Sequence, residues 1–314
     1  MRLFNSIKPF ATICFLWATL TATAQHVTYS QADSTEIVAL LQSGEPSTLH
    51  FANKLLGRPY VAHTLEVNDN EQLVVNTREL DCTTLVETVT ALTICAQNSQ
   101  HTFADYCNVL RQLRYRQGQL TDYTSRLHYF SDWIEDKQKM GIVTEVQKHT
   151  PPFTAVQQLD LYYMSKHPNA YAALKKHPEM VKEIAKQERT LKGRRFRYIP
   201  KKDVKNTAAL RSVVKDGDII AITCRKPGLD IAHLGFAVWK EDGLHLLNAS
   251  QLHKKVVLEP MTLRQYLYKH PSHTGIRIIR IQNNKENQTQ EKLRIYGTTR
   301  FHELCQQVLT ERLR

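Results

Sequence analysis

The feature that most constrains the fold is a change of pattern near residue 194. From there the chain breaks into short strand-like runs: Phe196 to Ile199, Asp218 to Thr223, His233 to Trp239, His245 to Asn248, Lys255 to Leu258 and Gly275 to Arg280. Turn residues such as Lys215-Asp216-Gly217 and Lys240-Glu241-Asp242-Gly243 separate them, and strands so close in sequence predict an antiparallel meander. Ahead of them lie helical spacings: Ile37, Leu40 and Leu41, then Phe51, Leu55 and Leu56, then Val86, Val89 and Ile94 flanked by Leu85 and Leu92. The stretch from His101 to about Arg195 reads as mostly helical and polar, broken at Pro151-Pro152. Helices first and strands later predict an α+β domain.

The ends of the chain say where it works. Residues 1–24 carry Arg2 and Lys8, an apolar run from Phe10 to Leu20 and then Ala22-Thr23-Ala24, the pattern of a secretory signal peptide. The run is too short for a membrane span of roughly 20 residues, and no later segment is apolar enough to cross a bilayer. Cys14 follows Ala11-Thr12-Ile13, a poor match to a lipidated cysteine. The expectation is an exported protein, periplasmic or extracellular, with a single domain over 25–282, a helical insertion at about 100–195, and a polar linker and short helix over 283–314.

Without Arg2 and Lys8 the formal charge of +12 becomes +10. A basic surface ordinarily points to nucleic acid, but an exported chain meets acidic glycan, cell-wall peptide carboxylates or anionic head groups instead. The same charge also serves plain solubility. Cys82, Cys95, Cys107, Cys224 and Cys305 remain after the leader, an odd number. In an oxidising compartment at least one thiol is then unpaired in a monomer, and with no C-x-x-C spacing neither a zinc knuckle nor a redox dithiol is indicated.

Cys82 has the best surroundings for a nucleophile. Asp81 before it is a good N-cap, so Cys82 is placed in the first turn of a buried helix, where partial positive charge and free N–H groups favour thiolate. Those N–H groups also suit the oxyanion of a tetrahedral intermediate. The base has to be brought in by the fold. In the strand from His233 to Trp239, alternation puts His233, Gly235 and Ala237 on one face and Leu234, Phe236 and Val238 on the other. The small residues beside His233 predict that the Cys82 helix approaches on that face. The following strand brings Asn248, whose carboxamide can accept from the far ring nitrogen and fix the tautomer. His245 would point away from Asn248, and Ser250 shares the Asn248 face. Cys82, His233 and Asn248 are the predicted catalytic set, while Cys95, Cys107 and Cys224 read as structural.

Gly57-x-Pro59-Tyr60, Asp81-Cys82-Thr83-Thr84-Leu85-Val86, and His233-x-Gly235-Phe236 with Leu247-Asn248-Ala249-Ser250 together resemble the NlpC-type branch of papain-like cell-wall cysteine hydrolases. Within it, Tyr123-Thr-Ser-Arg126-Leu-His128-Tyr129-Phe-Ser-Asp-Trp133 resembles a signature of the secreted bacterial N-acetylmuramoyl-L-alanine amidase-like family. The match spans roughly 35 to 281. It implies an antiparallel sheet of about six strands with the nucleophile helix packed on it, and hydrolysis of a peptidoglycan amide. It also implies that Tyr60 lines the site. Many NlpC-type enzymes have Asp-Cys-Ser-Gly and a third histidine where this chain has Asp-Cys-Thr-Thr and Asn248.

The aromatic segment admits two readings. Tyr123, Tyr129 and Trp133 form the apolar face of a helix, or they line a substrate site in which Arg126 grips a carboxylate bidentately. The basic residues from Arg189 to Lys205 read as a solvated loop and strand edge. Tyr60, Tyr123, Arg126, Tyr129, Trp133 and Ser250 are the substrate-binding candidates. The expected ligand is peptidoglycan or a muropeptide, with no cofactor, no metal, no nucleic acid and no transmembrane segment, in a monomer. Three alternatives stay open. One is an endopeptidase cutting the γ-D-Glu to diamino acid bond, another a zinc amidase, for which no H-E-x-x-H spacing is present, and the third a non-catalytic peptidoglycan-binding module.

Overall fold

The computed structural model describes residues 27–283 apart from Gly44 and Pro46. The predicted leader, Cys14, Cys305 and the C-terminal helix lie outside the described residues. In chain order the elements are β1 (Val27–Thr28), α1 (Gln31–Gln42), α2 (Thr48–Lys54), β2 (Leu73–Val74), α3 (Cys82–Gln97), α4 (Phe103–Arg114) and α5 (Phe130–Lys139). Then come β3 (Val143–Val146), β4 (Ala155–Gln158), α6 (Tyr163–Lys166), α7 (Ala172–Lys176), α8 (Met180–Leu191) and β5 (Arg195–Pro200). The last part holds α9 (Ala208–Val213), β6 (Ile219–Cys224), β7 (Ile231–Trp239), β8 (Leu244–Ser250), β9 (Lys255–Leu258), α10 (Leu263–Lys269) and β10 (His273–Ile281). Among the described residues no helix is long and apolar enough to cross a membrane.

The architecture is α+β, built on an antiparallel sheet of eight strands rather than about six. The path is β4-β5-β10-β6-β7-β8-β9, with β3 also paired to β10. The meander holds from β6 to β9, but β10 returns to lie between β5 and β6. The two strands beyond the expected six, β3 and β4, come from the stretch read as helical and are added at the β10 and β5 end. β1 and β2 make a separate two-stranded parallel ribbon.

The two faces of the sheet meet different layers. Leu234, Phe236, Leu247 and Ala249 pack with Leu85, Val86, Val89 and Leu92 of α3 in the larger core. Ala237, Leu246, Ile220 and Ile222 pack with Leu263, Tyr266 and Leu267 of α10 in a second core. The helix carrying Cys82 therefore approaches the Leu234–Phe236 face, and the expectation that it uses the small-residue face is corrected. Gly235 is small because of its own sheet: a Cβ there would sit 2.6 Å from the Leu247 carbonyl oxygen and 2.8 Å from the Leu246 side chain.

α3 is buried all round from Thr84 to Thr93, as befits a helix enclosed by the sheet, α1, α2 and α4. β3 and α5 are fastened to β10 through one buried arginine. Arg277 of β10 is fully buried, donates to both oxygens of Glu145 at 2.5 and 3.0 Å and to Ser131 Oγ at 2.6 Å, and lies over the Phe196 ring.

Glu145→Ala leaves the Arg277 guanidinium buried without its carboxylate. The expected loss is about 3–5 kcal/mol in denaturant unfolding, whereas replacing both residues by apolar ones of similar volume costs much less. Gly235→Ala is expected to cost about 1–3 kcal/mol in the same measurement, because the added methyl overpacks against β8.

Candidate active site

The site starts from a helix cap. Asp81 has extended backbone geometry (φ −97°, ψ −177°) and its carboxylate accepts from the Thr84 N–H at 2.8 Å, while Thr84 Oγ1 accepts from the Asp81 N–H at 2.9 Å. This reciprocal box fixes where α3 begins. Cys82 is its first residue, and the N–H groups of Cys82 and Thr83 have no partner within the helix.

Opposite lies β7. The Leu234 N–H, next in sequence to His233, favours the ionised form of Cys82, and Cys82 and His233 line one cleft. His233 Nε2 is 2.8 Å from Asn248 Oδ1. A carbonyl oxygen only accepts, so Nε2 carries the proton and Nδ1 is left as the basic nitrogen. The Tyr266 ring of α10 stacks on the imidazole, centroids 6.3 Å apart at 27°. The Asn248 carboxamide, fully buried, donates in turn to Glu259 Oε1 at 2.9 Å.

The electrostatics differ from the simple picture of a helix-activated thiolate. Burial, reinforced by Asp81, pushes the Cys82 thiol up to about 12, against the Leu234 N–H, the Thr83 side chain and its own N–H, which pull it down. Burial also lowers the pKa of His233, with the Asn248 hydrogen bond and Glu259 pulling it back up. At neutral pH both groups rest uncharged, a thiol and a neutral imidazole lining one cleft.

The cleft encloses about 220 Å³. Besides Cys82, Thr83 and His233 it is walled by His128, Tyr129, Phe130, Met164, Tyr171 and Asp230. His128 donates from Nε2 to the Tyr123 carbonyl at 2.8 Å, and burial with Arg126 nearby lowers its pKa to about 3, so it stays neutral. Asp230 accepts the Ser131 N–H at 2.6 Å. Of the residues lining the cleft, Asp230 is the one carboxylate.

The predicted substrate-binding residues separate into groups. Tyr60 lies near Cys82 and Asp81, which with burial raise its pKa. Tyr129 lines the cleft, its hydroxyl donating to Glu188 and accepting from the Met164 N–H. Ser250 is buried on the Asn248 face and accepts the His253 N–H at 3.3 Å. Neither Tyr60 nor Ser250 is among the residues lining the cleft, and three others lie elsewhere. Trp133 is 1 % exposed and stacked on Phe130 in the main core. Tyr123 and Arg126 line a separate polar cavity. The Arg126 guanidinium is already held by Glu71 at 2.7 and 3.0 Å and by Glu66 at 2.6 Å, so it is not free to take a substrate carboxylate.

Glu259 and the cleft-wall residues His128, Asp230, Met164 and Tyr171 were not anticipated. For Glu259 a signal existed: Val257 pairs with Asn248, and alternation carries the same face two residues on. Cys82, Cys95, Cys107 and Cys224 are free thiols, with Cys95 and Cys107 buried. Among the described residues no group of three or more His, Cys, Asp or Glu is placed to hold a metal ion.

Comparison with known proteins adds a family. A model described as AmiA-like, N-acetylmuramoyl-L-alanine amidase-like, matches residues 50–276. A crystal structure named as an N-acetylmuramoyl-L-alanine amidase from Bacteroides uniformis is 40 % identical, with a TM-score of 0.71 over 76 % of this chain and 100 % of that one. A structure from Bacteroides fragilis named as a putative xylanase is 42 % identical, with a TM-score of 0.70 over 74 % of this chain and 100 % of that one. Protein LPG0564 of Legionella pneumophila, 22 % identical, shares the fold at a TM-score of 0.61 over 80 % of this chain and 93 % of that one. No curated protein matches. With most of its length matched, this chain belongs to the N-acetylmuramoyl-L-alanine amidase-like family.

Proposed function

We propose that this protein is an exported peptidoglycan amidase of the NlpC-type papain-like class, acting through Cys82, His233 and Asn248 on the amide between N-acetylmuramic acid and L-Ala. The observation that carries the reading is the single cleft holding a thiol at a capped helix start and an imidazole whose far nitrogen is tied to a buried carboxamide. The name of the Bacteroides uniformis structure supports the bond assignment. The putative-xylanase name of the other relative fits less well, because a glycosidase ordinarily sets two carboxyl groups about the scissile bond and Asp230 is the one carboxylate among the residues lining this cleft.

The chemistry follows from the resting state. His233 Nδ1 takes the thiol proton as the sulfur attacks the amide carbonyl carbon, and the N–H groups of Cys82 and Thr83 receive the oxyanion. The C–N bond breaks, the leaving L-Ala nitrogen takes the proton from His233, and the muramoyl acyl group stays on Cys82 as a thioester. Water, deprotonated by the same imidazole, releases the acid. Asn248 keeps the ring in the tautomer with Nδ1 free.

Cys82→Ala in the mature protein is expected to lower muropeptide hydrolysis by at least about 10³-fold with binding retained. Unchanged turnover would leave only a binding module. Mass spectrometry of the products is expected to show complete stem peptides; truncated stems would move the cut to the γ-D-Glu to diamino acid bond. Activity should survive a chelator and be lost on alkylation of Cys82, the reverse of a zinc amidase. The base must be neutral to act, and burial lowers its pKa. Activity is therefore expected to hold through neutral pH and to fall below the ordinary histidine value of about 6.5. Because the resting thiol is protonated, Cys82 alkylation, followed by peptide mass, should be slow at pH 6 and rise with pH. Fast alkylation at pH 6 would instead indicate a preformed thiolate–imidazolium pair.

A further inference from the structure

We infer that Glu259 is a positioning residue for the reaction, acting through Asn248 to select the His233 tautomer; the inference rests on the Cys82–His233–Asn248 reading above. An amide has two nearly equivalent ends, and nothing in Asn248 itself decides which one faces the imidazole. If the NH₂ faced His233 it would donate to Nε2, drive the ring proton to Nδ1 and leave the nitrogen needed as base without its lone pair. The Asn248 carboxamide is fully buried, so water cannot arbitrate.

Glu259 arbitrates instead. Its carboxylate is 1 % exposed and its Oε1 accepts from Asn248 Nδ2 at 2.9 Å. An ionised carboxylate has no proton to donate, so the carboxamide must turn its NH₂ toward it and its oxygen toward His233, the arrangement observed at 2.8 Å. Glu259 is held in three further ways. Its N–H donates to the Leu246 carbonyl at 2.9 Å, and its own carbonyl accepts from the fully buried ring of His245, also at 2.9 Å. The other carboxylate oxygen lies 3.2 Å from Nε2 of His253, in the turn between β8 and β9 that Ser250 braces. A buried carboxylate with both oxygens occupied, one aimed at the orienting amide, is more than packing requires.

The test uses the mature protein. Glu259→Ala is expected to lower kcat roughly 10-fold to 100-fold, the range for a buried donor left without its partner, with KM changed by less than about twofold. Glu259→Gln can still accept from Asn248 but can equally donate to it, so it should recover only part of that loss. Glu259→Ala added to Asn248→Ala should cost little further, because the two act in series. A readout independent of turnover is the ring-nitrogen NMR spectrum of ¹⁵N-histidine-labelled Cys82→Ala protein at pH 8. His233 should show Nε2 protonated and Nδ1 bare, and Glu259→Ala should move the ring toward the other tautomer while His245 is unchanged. Unchanged kcat and an unchanged tautomer in a folded Glu259→Ala protein overturn the inference. The catalytic reading fails separately, if Cys82→Ala keeps full activity.

Discussion

Where helix α3 begins is the constraint on which the site depends. Two backbone N–H groups and two side chains, those of Asp81 and Thr84, settle that point locally, and the burial of the next ten residues prevents the helix from sliding. A helix free to start one residue later would turn the thiol by about 100° around its axis and away from β7. The contribution of Asp81 is thus geometric, and it has an electrostatic cost, since its negative charge helps to hold the neighbouring thiol in its protonated form.

Burial acts on both Cys82 and His233 in the direction of neutrality, raising the thiol and lowering the imidazole. A site arranged in this way stores no charge while empty. In the proposed reaction, charge separation accompanies the attack, when the oxyanion and the imidazolium arise together. Interactions that arise only at that point favour the transition state over the resting state, which is the condition for a binding interaction to raise turnover.

The sequence reveals those parts of the molecule whose causes are local. The Asp81 cap and the strand alternation around His233 and Asn248 depend on a few adjacent residues, and those three side chains could be grouped before any coordinates. Alternation also says correctly that Gly235 and Ala237 share the face of His233. It carries no information on which layer covers that face, and α10 rather than α3 does. β3 and β4 were hidden for a related reason. Val143–Val146 and Ala155–Gln158 are four residues each, partly exposed, and owe their extended form to pairing with β10 and β5. The thiol's raised pKa was likewise unreadable, because it reflects atoms gathered around Cys82 from distant segments. Arg126 shows the opposite hazard: a residue well suited to a carboxylate had already found two in its own chain.

β4 and β5 are paired neighbours in the sheet, and the chain between them closes on itself. Leu159 donates to the Arg194 carbonyl at 2.9 Å, and Gly193 donates to the Leu159 carbonyl at 2.8 Å. Beyond this clasp Leu161, Met164, Leu174, Ile184 and Leu191 share a core of their own with Tyr123 and Tyr129, and Met164 and Tyr171 reach from it to the cleft. The lobe therefore hangs from two adjoining strand ends, and its contour reaches the cleft through Met164 and Tyr171. A change in its outline would alter the mouth of the cleft while leaving the pairing of β6 to β9 as it is.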